Sequence, residues 1–425
     1  MLKTDTYLST ETQEKIKLLI QKAQNGSIDT NYFMDIEDIL YNEVYHKQPS
    51  EPKNILLIKL DEIGDSIMAS SSVRNVRKTY PNAEITILCQ PLTKQLYKKC
   101  PYINRIICCE KKVFIGKLMT KACDTIFNMV SQKLLQYKFD TVITLRHNSD
   151  CITEAFIAFF TGAVRRYSLD LNSNRYCLPI NPLCDTISNV LLSKVFVVPP
   201  DVIHEADKQI YLMKRLHMFH SGELELFYSK SDNVRAKQWL AILPGNSQKI
   251  VVGITAGINR RKWPVKRYLL VCKYLLKKYN VSFVILGSDR EKDDAEFLEA
   301  NLPKGKILNL CCKTTLSETA AVISNVDFYI GNDTGLLHMA SAAKIPVVGL
   351  YVDPLRQDKF PSACPVKLFA PYKTKAVILR PDKPTGECAT EHFIWGGCKH
   401  LNEPHCILAI TVNKVIEAFE TLRKM

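Results

Sequence analysis

From Ile55 onward, apolar runs of strand length alternate with amphipathic segments of helix length, and the alternation starts afresh after residue 245. A strand that is followed by a helix before the next strand returns parallel to the first, so the pattern predicts parallel sheets with helices on their faces. The first unit reads as a strand over 55–60, a loop over 61–65, a helix from 66 to about 80, a Pro81-Asn82 turn and a strand over 84–89. Further strands are predicted over 103–108 and 141–145, and helices over 154–160, 204–216 and around 236–240. Beyond the words LPGNSQK come strands over 250–255, 281–286, 307–310, 328–330 and 347–351. Two successive α/β domains joined near residue 245 would face each other across a cleft at the carboxyl ends of their strands, where such folds bind ligands. Residues 1–50 are polar and helix-prone, with Ile16, Leu18, Leu19 and Ile20 marking one amphipathic helix and 36–45 another. They read as an appended cap or oligomerisation segment.

The chain is 425 residues long, 46% hydrophobic and 24% charged, which suits two cores of ordinary size in a soluble protein. No apolar run reaches spanning length, and the opening MLKTDTYLSTETQEKIKLLIQKAQNG lacks an apolar core and a small-residue cleavage site. Neither a transmembrane helix nor a secretory signal is expected, and the expected location is the cytoplasm. The fifteen cysteines are scattered, several of them inside apolar strands, and read mostly as reduced core residues. Cys388, Cys398 and Cys406, with His392, His400 and His405 nearby, leave a metal site open, although no C-x-x-C knuckle supports one.

A net charge of +14 implies an anionic partner: nucleic acid, an acidic membrane surface or a phosphorylated substrate. Basic residues are frequent in the first half, at Lys94, Lys98, Lys99, Lys111, Lys112, Lys117, Lys121, Arg165 and Arg166. Nucleic acid is disfavoured, because aromatics do not interleave with these patches and no recognised module is present.

Four loops carry residues with chemistry. In IKLDEIGDSIMASSS, Gly64 and Asp65 stand at the tip of the first strand-to-helix loop, where an acid either caps a helix or projects into the cleft. In TAGINRRKWP, a small-residue turn at Thr255, Ala256 and Gly257 precedes Arg260, Arg261 and Lys262, a setting that suits a pyrophosphate and also an ordinary basic loop. Trp263-Pro264 then sets the start of a helix. Asp289, in ILGSDREKDD, is either a solvated helix-start acid or a carboxylate for ribose hydroxyls. In GNDTGLLHMASAAKIPVVGLY, Asp333 and Thr334 can cap a helix whose first N–H groups face a ligand, and Gly335 permits close backbone approach. A nicotinamide or flavin site is disfavoured, since G-x-G-x-x-G is absent.

The order of these motifs over residues 54 to about 422 resembles glycosyltransferase family 9, the heptosyltransferases that add heptose to the lipopolysaccharide inner core. The resemblance is carried by KLDEIGDSIMASSSVRNVRKTYPNAEITIL, RRKWPVKRY and GNDTGLLHMASAAKIPVVGLY. It implies an α/β fold of GT-B architecture with two Rossmann-like domains: an acceptor domain over 51–244, a nucleotide-sugar donor domain over 245–408, and a C-terminal helix over 409–425 packing back on the first domain. It further implies Asp65 as general base, Asp333, Thr334, Gly335 and His338 at the donor diphosphate, Thr255 and Ala256 in a donor loop, Thr314 near the base and Asp289 at the ribose. Arg261 stands where the family pattern has a lysine, with Lys262 following, and a planar guanidinium differs from a point-charge ammonium. The N-terminal extension is also unusual for the family.

The expected reaction is inverting heptosyl transfer from a nucleotide sugar, ADP-heptose by the resemblance, to an anionic glycolipid acceptor at the inner membrane surface. No DxD pair stands at a strand end in the cleft, so neither a metal nor another cofactor is required. A family 9 transferase with another sugar donor, such as an N-acetylhexosamine, or with a protein hydroxyl acceptor is the near alternative. A non-catalytic nucleotide-sugar or nucleic-acid-binding α/β protein is the distant one.

Overall fold

The first half of the chain builds a sheet from β1 (Asn54–Lys59), β2 (Glu84–Cys89), β3 (Arg105–Cys108), β4 (Thr141–Thr144), β5 (Arg165–Leu169) and β6 (Lys194–Phe196). The second builds one from β7 (Gln248–Gly253), β8 (Val281–Ile285), β9 (Ile307–Asn309), β10 (Phe328–Asn332), β11 (Val347–Leu350) and β12 (Ala376–Leu379). Every pairing is parallel, and the spatial orders are β3-β2-β1-β4-β5-β6 and β12-β11-β10-β7-β8-β9. Burial on both faces explains the unbroken apolar words: Ile55, Leu56, Leu57 and Ile58 in β1 are all inaccessible. Strand order reverses between β1 and β4 and again between β7 and β10, so each sheet has one crevice at the carboxyl ends of a central pair. The computed structural model describes residues 8–23, 30–43, 45, 48–111, 119–145, 152–170, 190–355, 366–385 and 402–425. No helix among them is long and apolar enough to cross a membrane.

Several expectations are corrected. The helix predicted from 66 to 80 is two helices, Ile63–Met68 and Ser70–Thr79, broken at Ala69. Because the first begins at Ile63, Gly64 and Asp65 sit in its opening turn rather than at a free loop tip. The closing helix, Val412–Lys424, lies on the second domain and not on the first. Its apolar stripe, Val415, Ile416, Phe419 and Leu422, is buried in that domain's outer core, where the Phe419 ring meets Phe328 at 5.2 Å. A stripe at this spacing buries on the sheet face left open nearby, which here belongs to β11 and β12.

The change of domain also comes earlier than residue 245. The linker before Ser229 lies along the first domain, with Arg74 paired to Glu225 and bonded to Glu223 O. Helix Lys230–Leu240 then packs on helix Leu316–Ile323 of the second domain, joined by Arg235–Glu318 at 2.8 Å and Ser317–Asp232 at 2.6 Å.

The N-terminal helices Thr10–Ala23 and Thr30–Glu43 are integral to the first domain. Ile16, Ile20, Phe33, Ile36 and Leu40 enter one cluster with Leu56, Ile58, Phe156 and Phe159. Glu37 also pairs with the buried Arg166 of β5 at 2.9 Å. Most of the apolar residues of these helices therefore face the domain's own core, whereas Leu18, Met34 and Tyr41 are exposed. Between the two domains, helix Gly335–Ala342 packs against Ile63–Met68, and one apolar cluster continues from Ile67 and Met68 to Ala320, Leu337 and Met339.

Candidate functional site

The two crevices meet at the starts of two short helices. In the second domain β10 ends at Asn332, and helix Gly335–Ala342 begins three residues later. Thr334 occupies the N-cap position with extended backbone, yet its hydroxyl does not cap; it bonds the Thr255 hydroxyl of the loop after β7 at 3.0 Å. Asp333 does not cap either. Its buried carboxylate lies 3.3 Å from the Arg261 guanidinium and 3.7 Å from His338 Nε2. The expected caps are thus committed sideways, and the leading N–H groups of an eight-residue helix, with their positive dipole end, carry no side-chain cap.

The first domain supplies the facing wall. A β-carbon on Gly64 would stand 2.5 Å from His338 Cδ2, and one on Gly335 would stand 2.6 Å from Ile63 Cγ2. Both glycines therefore permit the contact between the two helix starts. The close approach expected at Gly335 is made, and the partner is the first domain's Ile63. Asp65, one residue after Gly64, is carried on that wall, half-buried.

Of the expected donor residues, Thr255, Arg261, Asp333, Thr334, Gly335 and His338 come together here, with Ala256 following in the Thr255 loop. Lys262 does not join them: its ammonium is bound to Asp294 at 2.6 Å, on helix Lys292–Asn301. Arg260 Nε is buried and finds no hydrogen-bond partner among the described residues. Asp289 and Thr314 form a second group in the loops after β8 and β9. Exposed Asp289 accepts from the Cys312 thiol at 3.1 Å, and the Thr314 hydroxyl bonds that of Thr319 at 2.8 Å. Since β8 and β9 lie beyond β7 in the sheet, this group lengthens the same crevice away from Asp333.

Asn332 was not among the residues expected from sequence. Fully buried, it uses its whole amide: Oδ1 accepts from Trp263 N at 3.2 Å and from the Tyr268 hydroxyl at 3.0 Å, while Nδ2 donates to Thr255 O at 3.0 Å and Ile254 O at 3.4 Å. One side chain thereby ties together three donor-side segments. Trp263 is a buried anchor as well, with Nε1 donating to Ile410 O at 2.9 Å.

Burial dominates the electrostatics. It raises the Asp333 carboxyl, with Arg261 opposing, and it pushes His338 down to about 3, helped by His204 and Arg261. His338 is therefore neutral at physiological pH, while a histidine in the unfolded chain takes a proton near 6.5. Below that pH the unfolded state binds more protons, so this contribution to stability is complete above 6.5 and is lost progressively toward 3. We predict that His338 accounts for about 2 kcal/mol of stability lost between pH 7 and pH 5. Urea unfolding of wild type and His338→Gln at both pH values checks this, and a difference between the proteins that does not vary with pH would contradict it.

Among the described residues no group of three or more His, Cys, Asp or Glu is placed to hold a metal. Of the sequence candidates, Cys388, Cys398, His392 and His400 lie outside the described residues, and Cys406 is a free thiol 3.7 Å from His405 Nδ1.

Residues 128–392 match the family model described as glycosyltransferase family 9 (heptosyltransferase). The chain is 24% identical over 307 residues to lipooligosaccharide heptosyltransferase 2 of Haemophilus influenzae, a match spanning 70% of this chain and 83% of that protein. A family 9 glycosyl transferase from Veillonella parvula superposes with a TM-score of 0.64 at 19% identity, covering 88% of this chain and 98% of that one. An Escherichia coli ADP-heptose lipopolysaccharide heptosyltransferase II gives 0.58 at 19% identity, over 87% and 98%. At such identities the structural likeness speaks for the fold, and that fold is the GT-B arrangement of two facing α/β domains.

Proposed function

Because this chain belongs to glycosyltransferase family 9, we propose that it transfers a heptose, with inversion, from ADP-heptose to an anionic acceptor of the lipopolysaccharide inner core. The observation that carries the reading is the meeting of an uncapped helix start in one domain with the Asp65-bearing helix start of the other, through Gly64 and Gly335. The names of the relatives support the sugar and the acceptor class.

The chemistry divides along the same line. As the bond from the anomeric carbon to the diphosphate breaks, positive charge grows on the sugar and negative charge on the leaving group. The helix start at Gly335 and Arg261 would receive that negative charge, with Thr255, Ala256, Thr334 and neutral His338 lining the place. Lys262, held by Asp294, would contribute only at longer range. Asp289 and Thr314 would take the ribose and the base. On the opposite face the Asp65 carboxylate accepts the proton of the acceptor hydroxyl, whose oxygen forms the new bond to the anomeric carbon as ADP departs. The acceptor would be met at the cytoplasmic face of the inner membrane, where a peripheral enzyme of high positive charge is attracted by anionic lipid.

A donor screen by thermal shift and mass spectrometry, with ADP-heptose, UDP-sugars and GDP-sugars, tests this. ADP-heptose at tenfold above its Kd is expected to stabilise the protein by about 1.4 kcal/mol, with the other sugars inert. Arg261 in place of a lysine favours one second reading, a different donor on the same scaffold, and a preference for a UDP-N-acetylhexosamine would establish it. If no nucleotide sugar binds, the donor assignment fails.

A further inference from the structure

The turn after β9 carries two adjacent cysteines, Cys311 and Cys312, whose sulfurs lie 3.8 Å apart. Neighbouring residues of an extended strand point to opposite faces, so consecutive cysteines do not ordinarily bring their thiols together. Here Cys312 takes the left-handed conformation, φ 62°, and the pair folds into one turn. Backbone bonds hold it there: Cys311 N donates to Asn309 Oδ1 at 3.0 Å, and Cys312 N to Gly287 O at 3.0 Å. Both thiols are aimed at the loop after β8. Cys311 Sγ donates to Ser288 O at 3.2 Å, and Cys312 Sγ to Asp289 Oδ1 at 3.1 Å. Cys311 is buried and Cys312 exposed, so a reagent reaches the pair through Cys312.

Sulfurs at this spacing suit one bridging atom. Bonds of about 2.3 Å, the length of a zinc–thiolate bond, let a single thiophilic centre span sulfurs up to about 4.6 Å apart. We propose that Cys311 and Cys312 form a dithiol capture site for trivalent arsenicals, and that a reagent held there closes the nucleoside end of the crevice. The capture rests on the thiol pair alone, whereas the closure rests on the reading of Asp289 and Thr314 as the ribose and base residues. Cys312 is bonded to Asp289 and stands two residues before Thr314, so a group added to its sulfur intrudes where that reading puts the ribose.

With phenylarsine oxide, each sulfur forms one bond to arsenic, the arsenic–oxygen bond breaks, and the oxygen leaves as water with the two thiol protons. Arsenic stays trivalent, and neither an oxidant nor a reductant is consumed. The second bond closes within one turn of chain, at an effective concentration that a free monothiol does not match. Single-bond chemistry at the pair is weak by contrast. Burial first, then the neighbouring thiol, pushes Cys311 up to about 12, and the bond to Asp289, followed by desolvation, raises Cys312. Thiolate is scarce at neutral pH, and an alkylating reagent that needs one is expected to react slowly. Among the described cysteines only Cys312 is exposed, and Cys89, which faces Cys108 across β2 and β3, is inaccessible.

The test treats native wild type, Cys311→Ser and Cys312→Ser with phenylarsine oxide, washes with excess glutathione, and reads intact mass and peptide maps. Wild type is expected to keep one arsenical on the peptide carrying Cys311 and Cys312, removable by dithiothreitol, and both variants to lose it to glutathione. Absence of a glutathione-resistant adduct on that peptide, or its full retention in Cys312→Ser, overturns the capture site; Cys312→Ser, an exposed substitution, decides even if Cys311→Ser does not fold. Saturating ADP is expected to slow capture about tenfold, and the adduct to raise the Kd for ADP about tenfold in titration calorimetry. If ADP binds the unmodified protein and neither effect appears, the closure is overturned while the capture stands. If ADP does not bind at all, the donor reading fails together with the closure, and the glutathione-resistant adduct still decides the capture.

Discussion

Asp65→Asn is expected to lower kcat by about 10²–10⁴-fold while ADP binds with near wild-type affinity. The asparagine amide has almost the shape of the carboxylate, so the helix Ile63–Met68 can form as before, but it cannot accept the proton of the acceptor hydroxyl. Nucleotide affinity should persist because the residues that would hold the diphosphate, Arg261 and the helix start at Gly335, belong to the second domain. Single-turnover kinetics together with ADP titration by calorimetry separate the outcomes. Full activity would remove Asp65 from the chemistry, and a parallel loss of ADP affinity would move it to the donor side.

How much of this was legible in the sequence depended on where each residue spends its polarity. β1, β2 and β8 could be read because strands buried on both faces are written in apolar residues. β5 could not, since RRYSL looks like a surface segment. Its Arg166 is buried only because Leu191 O, Ala163 O and Glu37, all distant or outside the strand, receive its guanidinium. The closing helix showed its amphipathic stripe but not which sheet face stood open for it.

Within the site, Thr255, Arg261, Asp333, Thr334, Gly335 and His338 converge from separate motif words. Lys262 was misplaced because a cation beside a phosphate loop and a cation beside Asp294 look alike in one dimension. The capping expected of Asp333 and Thr334 failed for a related reason. Their competing partners, Arg261 and Thr255, arrive from loops more than seventy residues away in the chain. The glycines were legible as points of close approach, whereas the occupant of the space, Ile63 for Gly335 and His338 for Gly64, required both domains in place.

The two residues that escaped notice share one design. Lys59 ends β1 and donates to the first carbonyl beyond β4; Asn332 ends β10 and donates to Thr255 O, in the loop beyond β7. Each is a buried polar side chain stitching together the central pair of strands whose separation opens the crevice. For Asn332 the consequence is measurable. Asn332→Leu keeps the volume but leaves Trp263 N–H, Thr255 O and Ile254 O without their partner, while the Tyr268 hydroxyl retains Gly253 O at 3.2 Å. With buried groups orphaned in this way, a loss of about 3 kcal/mol in urea unfolding is expected, together with weakened ADP binding as the Thr255 and Arg261 loops come loose from β10. Asn332→Asp distinguishes hydrogen bonding from packing. Its carboxylate still accepts from Trp263 N–H and Tyr268, but faces two carbonyl oxygens where Nδ2 had donated. Protonation restores one donor, so the folded state holds its proton more tightly than the unfolded chain and the variant's deficit relative to wild type should shrink as pH falls from 7 toward 4. An Asn332→Asp protein as stable as wild type across this range would mean that Asn332 matters for its shape alone, and its four hydrogen bonds would then not be what holds the donor loops together.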